Sequence, residues 1–239
     1  MRRVLPAFAL FVISLFAFSA PAQTPPQSHF DGSSWWSHVK VLADDNMEGR
    51  ETGSDGLKRA QAYVVDQLKK SGLEPAGANG FYQPVKFIQR QVDESNSNAA
   101  LIQDGKTLAL VPGDDMLFSS KSNTGEKGFT APLVFVGYAL KIPEKNFDDL
   151  ADENLSGKIV VYISGSTSDI PAALASHYST TVERWKSLRA AGAIGMISIP
   201  NPASMDIPWS RIAVNRLHPS MELSGAEFND TDGLKISLF

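Results

Sequence analysis

The apolar positions that begin near residue 33 recur with the three-to-four spacing of an amphipathic helix. The residues on that face are Trp36, Val39 and Leu42. Ser33 or Ser34 can cap the beginning of this helix, because a serine hydroxyl accepts a hydrogen bond from a free backbone N–H. We therefore predict a short helix in which Trp35 and Trp36 belong to the core and the cap rather than to a binding platform.

A second helix is marked at both ends. Ser54 is a favourable N-cap residue, Gly72 suits the left-handed position that closes a helix, and Pro75 prevents its continuation. Between these signals the apolar residues follow helical spacing, with charged residues on the opposite face. The predicted buried stripe consists of Leu57, Ala60 or Gln61, Val64 and Leu68.

Beyond residue 80 the apolar pattern becomes that of β-strands. The stretch FYQPVKFIQR is extended, and AALIQDGKTLALV predicts a hairpin that turns at Asp104 and Gly105. Continuous apolar runs at residues 131–140 and 157–165 favour strands that are buried on both faces. The segment between them, KIPEKNFDDLADENLS, is interpreted as a solvated acidic connector.

A strand–helix–strand unit follows the second of these runs. The stretch TVERWKSLRAAGA predicts a helix that ends at Gly192 and leads into the apolar strand AIGMISI. Its apolar side carries Val182, Trp185, Leu188 and Ala191. This order favours parallel pairing of the two strands, and the tail, PSMELSG and then GLKISLF, predicts further strand.

The first 22 residues have the layout of a secretory signal: two arginines, an apolar run from Val4 to Phe18, and small residues up to Ala22. A membrane anchor is the alternative, but this run is shorter than the roughly 20 residues that span a bilayer. We therefore expect cleavage after Ala22, a flexible leader at residues 23–32, and an exported protein, periplasmic or extracellular, with no membrane contact after cleavage.

Composition narrows the class of protein further. The 239 residues are 43% hydrophobic and include no cysteine, so a core must supply the stability without disulfides. The formal net charge is −4 and no basic stripe occurs, which argues against a nucleic-acid partner because phosphate neutralisation supplies most of that affinity.

The glycine-rich stretch MEGRETGSDG, residues 47–56, could be a phosphate-binding loop, a catalytic loop or a turn that begins a helix. A Walker loop follows a strand and has a lysine after its glycines, and this stretch has neither. We interpret it as a helix-entry turn in which Gly49 and Gly53 supply backbone freedom, and we assign Glu48 and Arg50 no catalytic role.

The candidate metal ligands and nucleophiles do not occur at the spacings of a known metal-binding or catalytic motif. His29-Phe30-Asp31 has a metal-ligand spacing but lies in the leader, so we interpret it as a chance match. The other histidines lack a second ligand one helical turn away, the acidic connector lacks a calcium-loop pattern, and ISGSTSD lacks a nucleophile elbow. The histidines concerned are His38, His177 and His218. The acidic residues of the connector are Asp148, Asp149, Asp152 and Glu153. We therefore predict no catalytic, cofactor-binding or metal-ligating residue in this chain.

One segment resembles the N-terminal part of the secreted zinc aminopeptidases of metallopeptidase family 28. In that family Leu-Ala-x-Asp-x-x-x-Gly-Arg-x-x-Gly-Ser enters the first helix, and Gly-Leu-x-Pro and an aromatic-Gln strand follow. The matching positions are Leu42, Ala43, Asp45, Gly49, Arg50, Gly53, Ser54, Gly72, Leu73, Pro75, Tyr82 and Gln83.

A second segment resembles the protease-associated domain that is inserted in many of these enzymes. Val-Phe-Val-Gly-Tyr, Asp-Asp, Gly-Lys-Ile-Val and Ala-x-x-x-Gly-Ala-x-Gly occur in the family's order. They match Val134 to Tyr138, Asp148 and Asp149, Gly157 to Val160, and Ala190 to Gly195 with one fewer residue before Gly192. The two segments together cover most of residues 38–200.

The resemblance implies an α/β fold class. Residues 33–90 would be the N-terminal helical segment of a zinc-exopeptidase α/β fold. Residues 91–239 would be a mixed, β-rich protease-associated domain with short helices, complete or incomplete at its C-terminal end. For the parent protein it implies a two-zinc aminopeptidase that removes N-terminal residues from peptide substrates, with a metal-activated water and a Glu general base.

The family's zinc ligands begin with a His-x-Asp after a core strand, and they have no counterpart in this chain. We therefore expect an N-terminal fragment that lacks the metal-ligand region, binds neither of the parent's two zinc ions and is inactive alone. One alternative is a self-contained exported module that binds peptides or proteins through its protease-associated domain. Another is a carboxypeptidase or glutaminyl-cyclase relative on the same scaffold.

Overall fold

The computed structural model describes residues 30–125, 127–202 and 205–239. The predicted signal and most of the predicted leader, including His29, lie outside the described residues. By its internal contacts the chain divides into two units, Met1–Gln83 and Pro84–Phe239. This division precedes the boundary predicted between residues 90 and 91, since Phe87–Arg90 is a strand of the second unit. No helix in the described ranges is both long and apolar enough to cross a membrane.

The first unit contains two α-helices, α1 (Gly32–Leu42) and α2 (Asp55–Lys70), separated by a 3₁₀ segment (Asp45–Arg50). Helix α2 has the predicted caps. Ser54 Oγ accepts a hydrogen bond from the N–H of Leu57 at 3.1 Å. At the other end Gly72 has φ +75°, and the N–H of Leu73 donates to the carbonyl of Leu68 at 3.1 Å. Local capping residues therefore fix both ends of this helix.

Helix α1 differs from the prediction in its cap and in its exposure. Its N-cap is Asp31, whose carboxylate accepts from the N–H of Ser33, and not Ser33 or Ser34. Trp35 and Trp36 are 54% and 50% exposed, and no residue of α1 is buried, so the assignment of these tryptophans to a core was wrong. Helical spacing identifies an apolar face but not whether another element covers it.

The second unit contains strands β1 to β10 and helices α3 to α5. The strands are β1 (Phe87–Arg90), β2 (Ala99–Gln103), β3 (Lys106–Leu110), β4 (Leu133–Phe135), β5 (Lys141–Ile142), β6 (Phe147–Asp148), β7 (Ile159–Ile163), β8 (Gly195–Ile199), β9 (Ser220–Leu223) and β10 (Ile236–Leu238). The helices are α3 (Ala172–Tyr178), α4 (Thr181–Ala190) and α5 (Trp209–Val214). Helices and sheets together confirm the coarse α/β class.

A four-stranded parallel sheet forms the centre of the second unit, in the order β10–β8–β7–β4. The predicted parallel pairing of β7 and β8 is confirmed, with Tyr162 opposite Ser198. Residues 131–140 were predicted to be a strand buried on both faces, and this was wrong. Only Leu133–Phe135 is strand, it lies at the sheet edge, and Phe135 is 55% exposed.

Helix α4 supplies the centre of the main core. Trp185 and Leu188 are almost completely buried among side chains of the sheet, and the Trp185 indole N–H donates to the carbonyl of Asp232 at 2.9 Å. The helix ends as predicted before Gly192, which has φ +89°. Ala191 is exposed, contrary to prediction, because it follows the last helical residue.

The described residues of this unit also form three small antiparallel pairs. The hairpin of β2 and β3 turns at Asp104 (φ +49°) and Gly105 (φ +74°), as predicted. Strand β1 pairs with β9, and β5 pairs with β6. Backbone hydrogen bonds also tie residues 117–119 to β10, including Ser119 N–H to the carbonyl of Ser237 at 3.0 Å. The unit is therefore mixed as a whole, while its largest sheet is parallel.

Candidate functional site

Residues 47–56 form the turn from the 3₁₀ segment into α2. Glu48, Gly49 and Arg50 all have positive φ, at +48°, +71° and +58°. The helix lies so close to this turn that a Cβ on Gly56 would be 2.0 Å from the carbonyl oxygen of Met47. These features confirm the helix-entry interpretation.

One charged group of this turn pairs with helix α2. Arg59 of α2 pairs with the Glu48 carboxylate at 2.9 Å and donates from Nε to the carbonyl of Asn46 at 2.7 Å. Glu48 therefore links the turn to the helix by an exposed ion pair.

The acidic connector is partly folded, contrary to the prediction of a solvated segment. Asp149 Oδ2 accepts from the N–H groups of Tyr138 and Leu140 at 3.0 and 3.2 Å. Asp148 accepts from the N–H of Leu150 at 3.0 Å and pairs with Lys141 at 2.7 Å. Asp148 and Asp149 are half-buried. Their carboxylates satisfy backbone donors that have no strand partner, which sequence position alone does not reveal.

No group of three or more His, Asp or Glu residues in the described ranges could hold a metal ion. His38 Nδ1 lies 2.7 Å from the hydroxyl of Tyr63, and the ring of His177 packs edge-on against Tyr178 at 4.8 Å. Asp31 of the His29-x-Asp31 pair is the N-cap of α1. The donor set of the described residues therefore does not fit a zinc site.

A cleft of about 420 Å³ opens at the carboxyl end of the parallel sheet, within the second unit. Ser164 and Ser198, at the ends of β7 and β8, contribute hydroxyls whose oxygens are 2.7 Å apart. Open α/β sheets commonly bind ligands at this end of their strands. Apolar walls come from Leu117, Phe118, Pro200, Trp209, Ile212 and Phe239.

Trp209 forms a wall that the cleft shares with a second cavity of about 370 Å³. Its indole N–H donates to the carbonyl of Gly113 at 2.8 Å, which fixes the ring. The two cavities also share Ser198, Pro200 and Phe239. The two cavities are therefore neighbours that share a fixed aromatic wall and a mainly apolar lining.

Basic groups surround the first cavity. Lys121, Arg216 and His218 line it, and none of its lining residues is acidic. Arg216 Nε pairs with Glu94 at 2.8 Å, and Lys121 lies 3.6 Å from Glu222, which also pairs with Arg90 at 3.2 Å. Sequence analysis missed this site because its residues are spread from 92 to 239 and carry no common motif.

The fold and site therefore define an α/β protein with a parallel-sheet unit and a groove at the strand ends. Its structure is similar to the aminopeptidase from Aneurinibacillus sp. strain AM-1, with 16% identity over 72% of this chain and 32% of that one, at a TM-score of 0.35. It is also similar to a zinc aminopeptidase from Bacillus subtilis, with 21% identity over 70% and 32% of the two chains, at a TM-score of 0.31.

A second structure of the Bacillus subtilis enzyme aligns with 22% identity over the same shares of the two chains, also at a TM-score of 0.31. The chain thus spans about a third of the length of these structures. No family model matches the sequence, and no curated protein matches it significantly.

Proposed function

We propose that this chain is the N-terminal scaffold of an exported zinc aminopeptidase of metallopeptidase family 28, with an inserted protease-associated domain. In this proposal the zinc ligands and the general base lie outside the chain. One observation carries it: the residues of both family-like motifs serve backbone geometry and packing. That pattern is expected for a segment of an enzyme that supports the catalytic region but supplies no catalytic residue.

In the first motif the glycines and the serine form the two ends of α2. Gly49 and Gly53 have φ values of +71° and +85°, Ser54 caps the helix, and Gly72 closes it with φ +75°. The positive φ values favour glycine, and the N-cap position favours a side chain that accepts a hydrogen bond. The motif thereby fixes the beginning and the end of α2.

In the second motif the same holds for the central sheet. Gly137 has φ +46°, and a Cβ there would lie 3.3 Å from the Asp149 carboxylate that accepts from the neighbouring N–H groups. A Cβ on Gly195 would lie 2.5 Å from Ile236 Cγ2, so β8 and β10 approach as closely as they do only because residue 195 has no side chain.

The activity of the chain tests this proposal. We expect the purified chain, expressed without residues 1–22, to release no chromogenic amine from amino-acid anilides, with or without added zinc. The same chain joined to the in-frame sequence that follows codon 239 in its gene should show zinc-dependent release. Zinc-dependent turnover by the chain alone would contradict the proposal, and so would a downstream sequence without a His-x-Asp after an apolar strand.

A second candidate function is a self-contained exported module that binds peptides or proteins. The groove at the strand ends favours it, because a rigid apolar groove with a few polar groups is the usual form of a binding site. The two candidates differ in a simple observation. A self-contained module predicts a monodisperse chain that unfolds cooperatively, whereas a scaffold predicts association through the exposed apolar residues of unit one, such as Val64.

A further inference from the structure

We propose that Asn79 is a site of spontaneous deamidation, at which the protein converts to aspartyl and isoaspartyl forms without the help of an enzyme. The backbone nitrogen of Gly80 is the nucleophile, and the side-chain amide of Asn79 is its target. Both residues are exposed and lie in a turn of the first unit, residues 77–82. Every reacting group belongs to this turn or to water, so the reaction needs no other part of the protein.

The sequence distinguishes this asparagine from the others. The chain has ten asparagines, and Asn79 alone is followed by glycine. Because glycine has no Cβ, its backbone nitrogen can approach the preceding side chain more closely than that of any other residue. A Cβ built on Gly80 would meet no atom within 4 Å, so neighbouring groups do not crowd this position. The pair therefore combines a reactive sequence with an open surrounding.

The hydrogen bonds of the turn leave the reacting atoms unoccupied. The N–H of Asn79 donates to the carbonyl of Tyr82 at 3.0 Å, and the N–H of Tyr82 donates back to the carbonyl of Asn79 at 3.1 Å. The carbonyl of Gly80 accepts from the N–H of Gly77 at 2.8 Å. Within the described part of the chain, neither the N–H of Gly80 nor the side chain of Asn79 has a hydrogen-bond partner. The fold therefore leaves both the nucleophile and its target free, unlike the amides of a helix or a strand ladder.

The reaction passes through a cyclic imide. The nitrogen of Gly80 forms a bond to Cγ of Asn79, the bond from Cγ to Nδ2 breaks, and the N–H proton passes through water to the leaving ammonia. Water then opens the imide at Cγ, which gives aspartate, or at the backbone carbonyl carbon, which gives isoaspartate. Nothing is oxidised or reduced, and the net change replaces an amide and a water molecule by a carboxylate and an ammonium ion. Because the attack needs a deprotonated nitrogen, the rate rises with pH.

The isoaspartyl form removes a hydrogen bond of the turn. Its chain runs through Cγ, so the former backbone carbonyl of residue 79 becomes part of a free carboxylate beside the chain. The N–H of Tyr82 then loses the carbonyl that accepts from it in the unmodified protein. The modification therefore acts just before Gln83, where the chain leaves the first unit.

The experiment is peptide mapping by mass spectrometry after the purified chain has been incubated at neutral and at mildly alkaline pH. Trypsin releases residues 71–86 as one peptide, in which Asn79 is the only asparagine. We expect this peptide to gain the mass difference between an amide and an acid and to divide into two products of equal mass. The asparagines of peptide 91–106 precede serine and alanine. Conversion of peptide 71–86 should be about tenfold faster than that of peptide 91–106, which corresponds to about 1.4 kcal/mol in the barrier.

Two variants form a matched pair of controls. Asn79→Gln lengthens the side chain by one methylene group, which disfavours the cyclisation, and it should leave peptide 71–86 unconverted. Asn98→Gln makes the same change at a position outside the turn and should not slow the conversion of this peptide. The native and the urea-unfolded chain should convert at rates within about threefold of each other, because opening free energies at exposed turns are near zero.

Hydrogen exchange tests the effect on the turn. Exchange at the amide of Tyr82 should become about fivefold faster in the isoaspartyl protein, which has lost one net hydrogen bond. It should stay unchanged in Asn79→Gln protein that has been incubated in the same way.

Several results would overturn the proposal. Conversion of peptide 71–86 no faster than that of peptide 91–106 is one, and a native rate more than about threefold below the unfolded rate is another. Equal conversion in the Asn79→Gln variant would place the reaction at Gln83 instead. Unchanged exchange at Tyr82 in the isoaspartyl protein would contradict the loss of its acceptor. None of these measurements involves peptide hydrolysis or zinc, so their failure is separate from a failure of the aminopeptidase proposal.

Discussion

Asp149 shows how much of this fold depends on one side chain. Its Oδ2 accepts from the N–H groups of Tyr138 and Leu140, which lie where the chain leaves β4 and approaches β5. Left-handed residues on either side, Gly137 and Ala139, turn the backbone there, with φ values of +46° and +51°. The carboxylate therefore replaces a strand partner at a bend that no strand can follow.

Removing this carboxylate should destabilise the protein. We expect Asp149→Ala to lower the free energy of unfolding by about 2–4 kcal/mol, because two half-buried N–H groups lose a charged acceptor. Asp152→Ala is the matched control from the same acidic segment, and its exposed carboxylate should contribute less than about 0.5 kcal/mol. Urea denaturation measures both. Equal losses for the two variants would contradict the task assigned to Asp149.

At the scale of elements, helix α2 is specified by residues within a few positions of its ends. Ser54 at its beginning and Gly72 after its end make the hydrogen bonds that the first and last turns would otherwise lack. These are local interactions, and the sequence pattern predicts them correctly. Helix α1 has serines that also suit an N-cap, yet its N-cap is Asp31 and not the predicted Ser33 or Ser34.

The cap of α2 gives a prediction for that element. Ser54→Ala removes the acceptor of the Leu57 N–H and should cost about 1 kcal/mol, which corresponds to about a fivefold loss of hydrogen-exchange protection at that amide. Ser54→Asp keeps an acceptor and should preserve most of the protection. Unchanged exchange in the alanine variant would show that the cap contributes little.

At the scale of the whole molecule, exposed charged groups predict the response to acid. The hydrogen bond from Lys58 lowers the pKa of Asp55, those from Ser95 and Asn96 lower the pKa of Asp93, and that from Lys186 lowers the pKa of Glu183. Each carboxyl therefore binds protons less readily in the folded chain than in the unfolded one. Their contribution to stability is present above the unfolded pKa, near 4, and is lost as the pH falls through the folded value.

We expect the urea midpoint of unfolding to be level from about pH 7 to 5 and to fall between about pH 5 and 3. The fall should become shallower in about 0.5 M salt, because these groups are solvent-exposed and their ion pairs are screened. A series of urea titrations over this pH range provides the measurement. A midpoint that rises on acidification would contradict the direction of these pKa shifts.

Alkali should also lower the stability of the folded chain, through Tyr178. The Glu144 carboxylate accepts from the Tyr178 hydroxyl and raises the pKa of Tyr178. A raised pKa means that the contribution of this bond is complete below the ordinary tyrosine value of 10 and is lost at higher pH.

Local sequence was sufficient for the ends of α2, the turn at Asp104 and Gly105, and the parallel strands on either side of α4. The first two depend on capping residues or on left-handed positions within a few residues along the chain, and the parallel pairing follows from the strand–helix–strand order. It was insufficient for burial: Trp36 and Phe135 are apolar but exposed, whereas Asp149 is acidic but half-buried. Burial depends on which elements meet, and spacing along one element carries no such information.

The groove is the clearest case of a feature that arises only in three dimensions. Arg216 meets Glu94, 122 positions away in the chain, and Ser164 meets Ser198 across two adjacent strands. None of these residues has a recognisable signal alone, because the partners of each are set by its neighbours in space. The parallel sheet brings their strand ends together, and the charge and shape of the groove follow from that meeting.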